Sequence, residues 1–395
     1  MGTITVGVVR ERAPGEHRVA LVPDAVSRLR TAGLDVLVAA GAGSEAWFTD
    51  RTYEAAGATV LPENEVTARA DVLLCVGPPS EVTLLRSGQA VIGLLAPLSH
   101  PGLVRRLADR GVTAVSLDMV PRTLSRAQSM DALTSQANIA GYKAVLVAAD
   151  TYGRYLPMLT TAAGTFKPAQ VLVLGAGVAG LSAIGTARRL GALVTAYDIR
   201  PAARAEIESL GARFLELAPV ADGSGVDGYA RELTQAERYA QQDAVDEQIA
   251  RFDIVITTAQ VPGRRPPVLV TARALARMRP GAVVVDLAAS DLGGNVELPQ
   301  APRDGVSVLD NGVTVIAAGD LPARMAPAAS TAYARNIVAS LGHLVRDGEL
   351  VVDPADEIQA GVVITHRGEV VNHAVAATLD GRVNGAVLTS AGGTR

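Results

Sequence analysis

From the N-terminus to about residue 130, short apolar runs alternate with amphipathic stretches. ITVGVV, LDVLVAA, ADVLLCV, QAVIGLL and GVTAVSL are rich in β-branched residues and predict strands. DAVSRLRTAG and HPGLVRRLADRG between them carry helical spacing. This alternation predicts a parallel sheet covered by helices. SQANIAGYKAVLVAADT, residues Ser135–Thr151, then predicts a long helix, followed by a loop holding Pro157, Gly164 and Pro168. A second alternating block follows, with AQVLVLGAG, ALVTAYD, DIVITTA, AVVVDLA and VTVIAAG as its strands. It ends near Asp320, where LPARMAPAASTAYARNIVASLGHL predicts another long helix that returns to the first domain.

The expected fold is therefore α/β: two Rossmann-like, doubly wound parallel-sheet domains linked by long helices. Residues 1–134 with 321–380 are expected to form a discontinuous first domain, and 135–320 a second. Residues 381–395, small and polar, read as a loose tail.

Composition narrows the function. The 395 residues are 49% hydrophobic and 19% charged, which excludes a disordered or fibrous chain. Net charge is −4, without a Lys/Arg cluster that could track a phosphate backbone, so nucleic acid is not an expected partner. Cys75 stands alone, which rules out an internal disulfide and fits a reducing compartment. Two charge-free stretches, Ser87–Val104 and Pro168–Ala187, approach membrane length, but prolines and a glycine-rich turn interrupt them. The start of the chain lacks the long apolar core of a signal peptide. A soluble chain is expected. The histidines at 17, 100, 343, 366 and 373 show no ligand spacing, and no metal is expected. His100 is expected to cap or pack near Pro101, and Trp47 to fill a core edge.

The strongest local signal is AQVLVLGAGVAGLSAIGTARRLGALVTAYDIR. Gly175, Gly177 and Gly180 form G-x-G-x-x-G between a strand and a helix, where the first allows a tight turn, the second a close approach to pyrophosphate, and the third helix–strand packing. The amides that open the helix face the phosphates, favoured by ~0.3–1 kcal/mol of helix dipole. Asp198 ends the next strand, eighteen residues after Gly180, where a carboxylate accepts adenosine ribose hydroxyls and repels a 2′-phosphate. NAD(H) is thus expected over NADP(H). Val178, Ala179, Ile199, Arg200, Thr258 and Ala259 complete the expected contacts. Arg200 could hold a phosphate or simply be a solvated arginine after the strand.

RAQSMDALTSQANIAGYKAV, residues Arg126–Val145, closely resembles the NAD(H)-binding component of proton-translocating transhydrogenase, with its Arg-Gln-Asp loop followed by a long helix. GEHRVALVPDAV, PMLTTAAGTFKPAQVLVLGAGVAG, DGYARE, VPGRRPPVLVT, MRPGAVVVDLA, GGNVE, YARNIV and DPADEIQAGVVITHRGEVV look like family segments in family order. The resemblance implies that Gln128 and Asp131 belong to a polar loop beside the nicotinamide, with Thr134 in the place of a family serine. The loop arginine is Arg122, which follows a proline, or Arg126 if the local one-residue length difference shifts the register. Tyr229 resembles the tyrosine of a mobile loop that folds over bound nucleotide. A role for Asp291, near GGN, stays open. The family further implies hydride transfer from NADH to NADP+ bound on a partner subunit. It implies a homodimer, and membrane-spanning partner subunits that carry the NADP(H)-binding domain. Attachment is expected at the inner, cytoplasmic face of the cell membrane, in the divided, three-polypeptide form.

Two other classes compete. Alanine dehydrogenases share the fold, and Arg18 could bind an oxo-acid carboxylate. However, Cys75 stands where those enzymes carry a lysine, and Ala96 falls at about the place of their histidine. Lys143 and Lys167 are the only lysines, and neither is expected in the first domain's cleft. A non-catalytic NAD(H)-sensing module would keep the glycine turn and Asp198 but has no need of RAQSMD.

Overall fold

The computed structural model describes residues 4–216, 242–243, 245–260, 265–298 and 304–379. Tyr229 and the expected tail lie outside them. By compactness the chain divides into two units, Met1–Ala132 with Ser330–Arg395, and Leu133–Ala329. Both divisions fall inside long helices.

The first unit begins with β1 (Thr5–Val8), β2 (Asp35–Ala39), β3 (Thr59–Leu61), β4 (Val72–Leu74), β5 (Ala90–Gly93) and β6 (Thr113–Ser116). Helices α1 (Pro23–Thr31), α2 (Asp50–Ala55), α3 (Glu63–Arg69) and α4 (Pro101–Asp109) connect them. Their strands are nearly continuously apolar because helices cover both faces of the sheet; Val6, Val8, Val38, Val72, Leu74 and Ile92 are fully buried. The chain then runs through α5 (Ala132–Thr151) into the second unit.

There the segment expected as a loop holds a short antiparallel hairpin, β7 (Leu159–Thr161) with β8 (Gly164–Phe166). Gly164, at φ +124°, closes the turn in a conformation that a side chain disfavours. Only three residues a side and exposed on both faces, this ribbon has no apolar alternation to announce it. Next come β9 (Gln170–Leu174), α6 (Val178–Arg189), β10 (Leu193–Tyr197), α7 (Ala203–Ser209), β11 (Arg213–Phe214), β12 (Ile254–Thr257), α8 (Ala272–Arg277), β13 (Val283–Asp286), β14 (Asp304–Val308) and β15 (Thr314–Ala318). Their order across the sheet is β11-β10-β9-β12-β13-β15-β14. All pairs are parallel except β14 with β15. The chain leaves β9 in one direction and restarts at β12 in the other, which puts the topological switch point, where ligands of such sheets bind, beyond the carboxyl ends of these two strands.

Helix α9 (Ala326–Leu344), preceded by a single 3₁₀ turn at Ala323–Met325, returns to the first unit. After a ribbon of β16 (Val345–Arg346) and β17 (Glu349–Leu350) come α10 (Glu357–Val362), β18 (Val363–His366), β19 (Glu369–Val370) and α11 (His373–Leu379). The antiparallel β18 extends the first sheet beside β6, giving the order β19-β18-β6-β5-β4-β1-β2-β3. Its parallel part is again doubly wound. Among the described residues, no helix is long and apolar enough to cross a membrane.

Trp47 corrects the sequence expectation: it is 83% exposed, not at a core edge. It ends a 3₁₀ turn in the left-handed region, φ 65°. His100 precedes α4 without a side-chain cap; its Nδ1 lies 3.3 Å from the Ala96 carbonyl oxygen.

Candidate dinucleotide site and polar loop

In the second unit, β9 runs straight into the glycine-rich turn. Gly175 has φ +100°, a conformation open to glycine, and this sharp reversal lets α6 start at Val178 with Gly177 as its N-cap. A Cβ at Gly180 would stand 1.9 Å from the Gly175 carbonyl oxygen, so the helix sits on the turn at a distance only glycine permits. A Cβ at Gly177 would meet nothing within 4 Å. Among the described residues, nothing fills the space beside Gly177. That is what a pyrophosphate on the helix N-terminus requires, and the residues present fit a dinucleotide.

Asp198 follows β10 directly. Its Oδ2 accepts the Ala176 amide at 2.8 Å, and its Oδ1 accepts the Arg200 amide at 2.8 Å and Arg200 Nε at 3.1 Å. Arg200 is thus not a solvated side chain: it is 23% exposed and forks over the carboxylate, which holds its guanidinium above the ordinary range. Ile199 packs on the apolar cluster beneath. Thr258, after β12, donates to the Gly175 carbonyl at 3.0 Å, so the two loops beside the switch point are tied together. Val178 and Ala179 occupy the first turn of α6, partly buried.

Two features of this unit carry no sequence motif. Helix α5 crosses α6 so closely that a Cβ at Gly141 would fall 2.0 Å from the Ala179 carbonyl oxygen, and Ser182 Oγ donates to the Asn138 carbonyl at 2.7 Å. The second is a buried brace. Asp286, at the end of β13, accepts Thr257 Oγ1, and the amides of Ala288, Asn295 and Val296 at 2.8–3.2 Å. Asn295 then grips Ala259 on both backbone groups, accepting its amide at 3.0 Å and donating to its carbonyl at 2.9 Å. Burial pushes the Asp286 carboxyl upward while these donors pull it back. A lone acid closing the apolar run VVVD was the available signal. Asp291, left open from sequence, is exposed nearby.

In the first unit, Arg122 Nε lies 3.5 Å from Asp131 Oδ2. Arg126 instead pairs with Glu357 at 2.9 Å, both largely exposed. Between them a 3₁₀ segment, Ser125–Met130, is anchored by buried Ala127 and Met130, and Asn336 of α9 donates to the Ser129 carbonyl at 2.8 Å. This leaves Gln128 exposed while Asp131 is buried just before α5, with Thr134 in its first turn.

The same unit holds the positions relevant to amino-acid dehydrogenation. Arg18 is already engaged by Glu16, through Nε at 2.8 Å and Nη2 at 2.5 Å. Cys75 is buried, which raises its thiol well above the usual range, and Ala96 carries no titratable group. Lys143 and Lys167 both belong to the second unit.

Two family models match: the alanine dehydrogenase/PNT N-terminal domain over residues 7–140 and the C-terminal domain over 144–373. The chain is 43% identical over 372 residues to an NAD(P) transhydrogenase subunit alpha of Cereibacter sphaeroides, covering 92% of this chain and 70% of that protein. It is 40% identical over 384 residues to an NAD(P) transhydrogenase alpha-subunit polypeptide of Rhodospirillum rubrum, covering 94% of this chain and 98% of that one. A crystal structure of transhydrogenase from Sinorhizobium meliloti matches with TM-score 0.81 at 41% identity, over 94% of this chain and 99% of that one. An L-alanine dehydrogenase structure matches with TM-score 0.77 at 26% identity, over 96% and 99%. The chain belongs to the alanine dehydrogenase/PNT family, and within it to the NAD(P) transhydrogenase alpha subunits.

Proposed function

We propose that the chain is the NAD(H)-binding component of a proton-translocating transhydrogenase, which passes a hydride from NADH to NADP+ held by a partner subunit. The observation that carries this reading is the Arg122–Asp131 pair on a loop pinned by Ala127 and Met130. Exchange of a hydride between two nicotinamides needs ring alignment and exclusion of water, with no proton donor or acceptor at the reacting carbon. The nucleotide supplies the hydride; the residues supply orientation. Arg122 neutralises and steadies Asp131, Gln128 reaches outward to hydrogen-bond a carboxamide, and Thr134 adds a hydroxyl from the first turn of α5. Gly175, Gly177, Gly180, Val178 and Ala179 hold the pyrophosphate, Asp198 and Ile199 the adenosine end, and Thr258 and Ala259 form the facing wall.

The NADP(H) domain and the proton path belong, in this proposal, to membrane-spanning partner subunits, and the chain works as a homodimer on the inner face of the cell membrane. Residues 135–320 act as the nucleotide domain and 1–134 with 321–380 as its companion. Tyr229 would close over the nucleotide.

Alanine dehydrogenation is disfavoured because Cys75 and Ala96 provide neither a proton donor nor an acceptor near neutral pH. The test mixes the purified chain with an NADP(H)-binding transhydrogenase domain and follows hydride exchange from NADH to a nicotinamide analogue. Exchange that needs both proteins supports the reading. Tight NADH binding without exchange would favour a sensor, and brisk NADH oxidation with pyruvate and ammonium would favour the dehydrogenase.

A further inference from the structure

The fork between Arg200 and Asp198 places a cation and an anion on one spot of the adenosine end. Four donors converge on the carboxylate: the Ala176 amide, the Arg200 amide, Arg200 Nε at 3.1 Å and Arg200 Nη2 at 3.2 Å. Nη2 also reaches the Ala176 carbonyl at 3.3 Å. The arginine therefore holds the acid with both arms and fastens the pair to the turn between Gly175 and Gly177. Such bidentate, charge-assisted contacts fix orientation as well as charge.

An adenosine ribose is read by a carboxylate that accepts its hydroxyls, and a 2′-phosphorylated ribose by an arginine close to the same position. Here both groups are present, and the first masks the second. Resting on the dinucleotide reading above, we infer that Arg200 is a second determinant of nucleotide choice. It presents Asp198 to an unphosphorylated ribose, and it is the cation that would take a 2′-phosphate once Asp198 is removed.

The consequences differ from those of an arginine that merely packs. Loss of Asp198 changes this spot from a neutral pair to a single positive charge, which attracts a phosphate. Loss of both returns it to neutral. A hydrogen bond to a charged group contributes about 10- to 100-fold in affinity, so the two backgrounds separate clearly.

The experiment titrates the full chain with NADH and with NADPH and reports the ratio of the two dissociation constants for wild type, Asp198→Ser, Arg200→Ala and the double variant. Wild type prefers NADH. Asp198→Ser binds NADPH at least about tenfold more tightly than wild type does, and the double variant loses that gain. Arg200→Ala weakens NADH without improving NADPH. Equal NADPH affinity in Asp198→Ser and the double variant, with NADH binding intact in wild type, would overturn this inference alone. A wild-type chain that bound neither nucleotide would overturn the dinucleotide reading and the inference with it. Thermal midpoints of all four proteins show whether folding contributes, and a purely structural role would not reorder the two nucleotides.

Discussion

Arg122 and Asp131 meet with Nε 3.5 Å from Oδ2, while Arg126, four residues further on, turns outward to Glu357. The two arginines that sequence register left as alternatives thus have different partners. The Asp131 carboxylate is buried, so an unpaired charge there is costly, whereas the exposed Arg126–Glu357 pair contributes little. Arg122→Ala is expected to slow hydride exchange by about tenfold or more, because misplaced nicotinamide rings lose near-contact geometry. Arg126→Ala is expected to exchange at close to the wild-type rate. Single-turnover exchange with both variants checks this; impairment of Arg126→Ala alone would assign the loop to the other register.

Two glycines of the turn should separate binding from folding. At Gly177 an added methyl meets no atom of the described residues within 4 Å, so Gly177→Ala should keep the wild-type thermal midpoint while NADH affinity falls by about tenfold, the methyl occupying the proposed approach of the phosphate. At Gly180 the same methyl collides with the Gly175 carbonyl, and Gly180→Ala should cost about 1–3 kcal/mol of stability before any nucleotide is added. Calorimetry with and without NADH distinguishes the two. A Gly177→Ala protein that melted early and bound NADH normally would reverse the roles assigned here.

Much of this architecture is written in local pattern. The runs around VLVL, VTAY and VVVD are buried parallel strands, so their apolar continuity and their glycine or acidic ends are visible without a structure. What local pattern does not carry is pairing across distance. β14 and β19 are edge strands whose exposed or short sequences lack a signature, and the β7–β8 ribbon shows no alternation. Arg200 reads as solvated because nothing in the order of residues says that its guanidinium folds back on an acid two positions earlier. Gly141 is inconspicuous within a helix, since its purpose lies on another helix, at Ala179. Trp47 misleads for a related reason: an aromatic residue's burial depends on the backbone turn that aims it.

The Asp286–Asn295 brace yields a prediction of its own. Asn295→Ala removes a fully buried side chain and deprives the amide and carbonyl of half-buried Ala259, and the carbonyl of exposed Pro267 that accepts Asn295 Nδ2 at 2.7 Å, of their partner. A buried group left without its partner costs about 1–3 kcal/mol, and water reaching Ala259 and Pro267 offsets part of this, so chemical unfolding should shift by about 1 kcal/mol or more. Because Ala259 belongs to the wall proposed to face the nucleotide, NADH affinity should weaken too. The variant's NADH dissociation constant and urea midpoint are the measurements; loss of neither would show that Ala259 is held by other means.

Glu11 supplies a dependence on pH. Its carboxyl accepts the Val76 amide at 2.5 Å and the Gly77 amide at 3.3 Å, and burial raises it from 4.5 to about 7. Glu16 repels it further and Arg18 works in the opposite direction, while Asp118, also raised by burial, and the Cys75 thiol share the neighbourhood. A group raised on folding prefers its neutral form in the native state. It therefore costs nothing below about pH 4.5, and its penalty grows as pH climbs to about 7, above which it is fully present. A difference of this size corresponds to at most about 3 kcal/mol, reduced because the side chain keeps some contact with water. Glu11→Gln keeps an acceptor for the loop amides without the charge. It should match wild type in urea stability near pH 4 and exceed it near pH 8. Parallel pH profiles for the two proteins would mean that Glu11 titrates at its ordinary value and that the amides of Val76 and Gly77 compensate its burial.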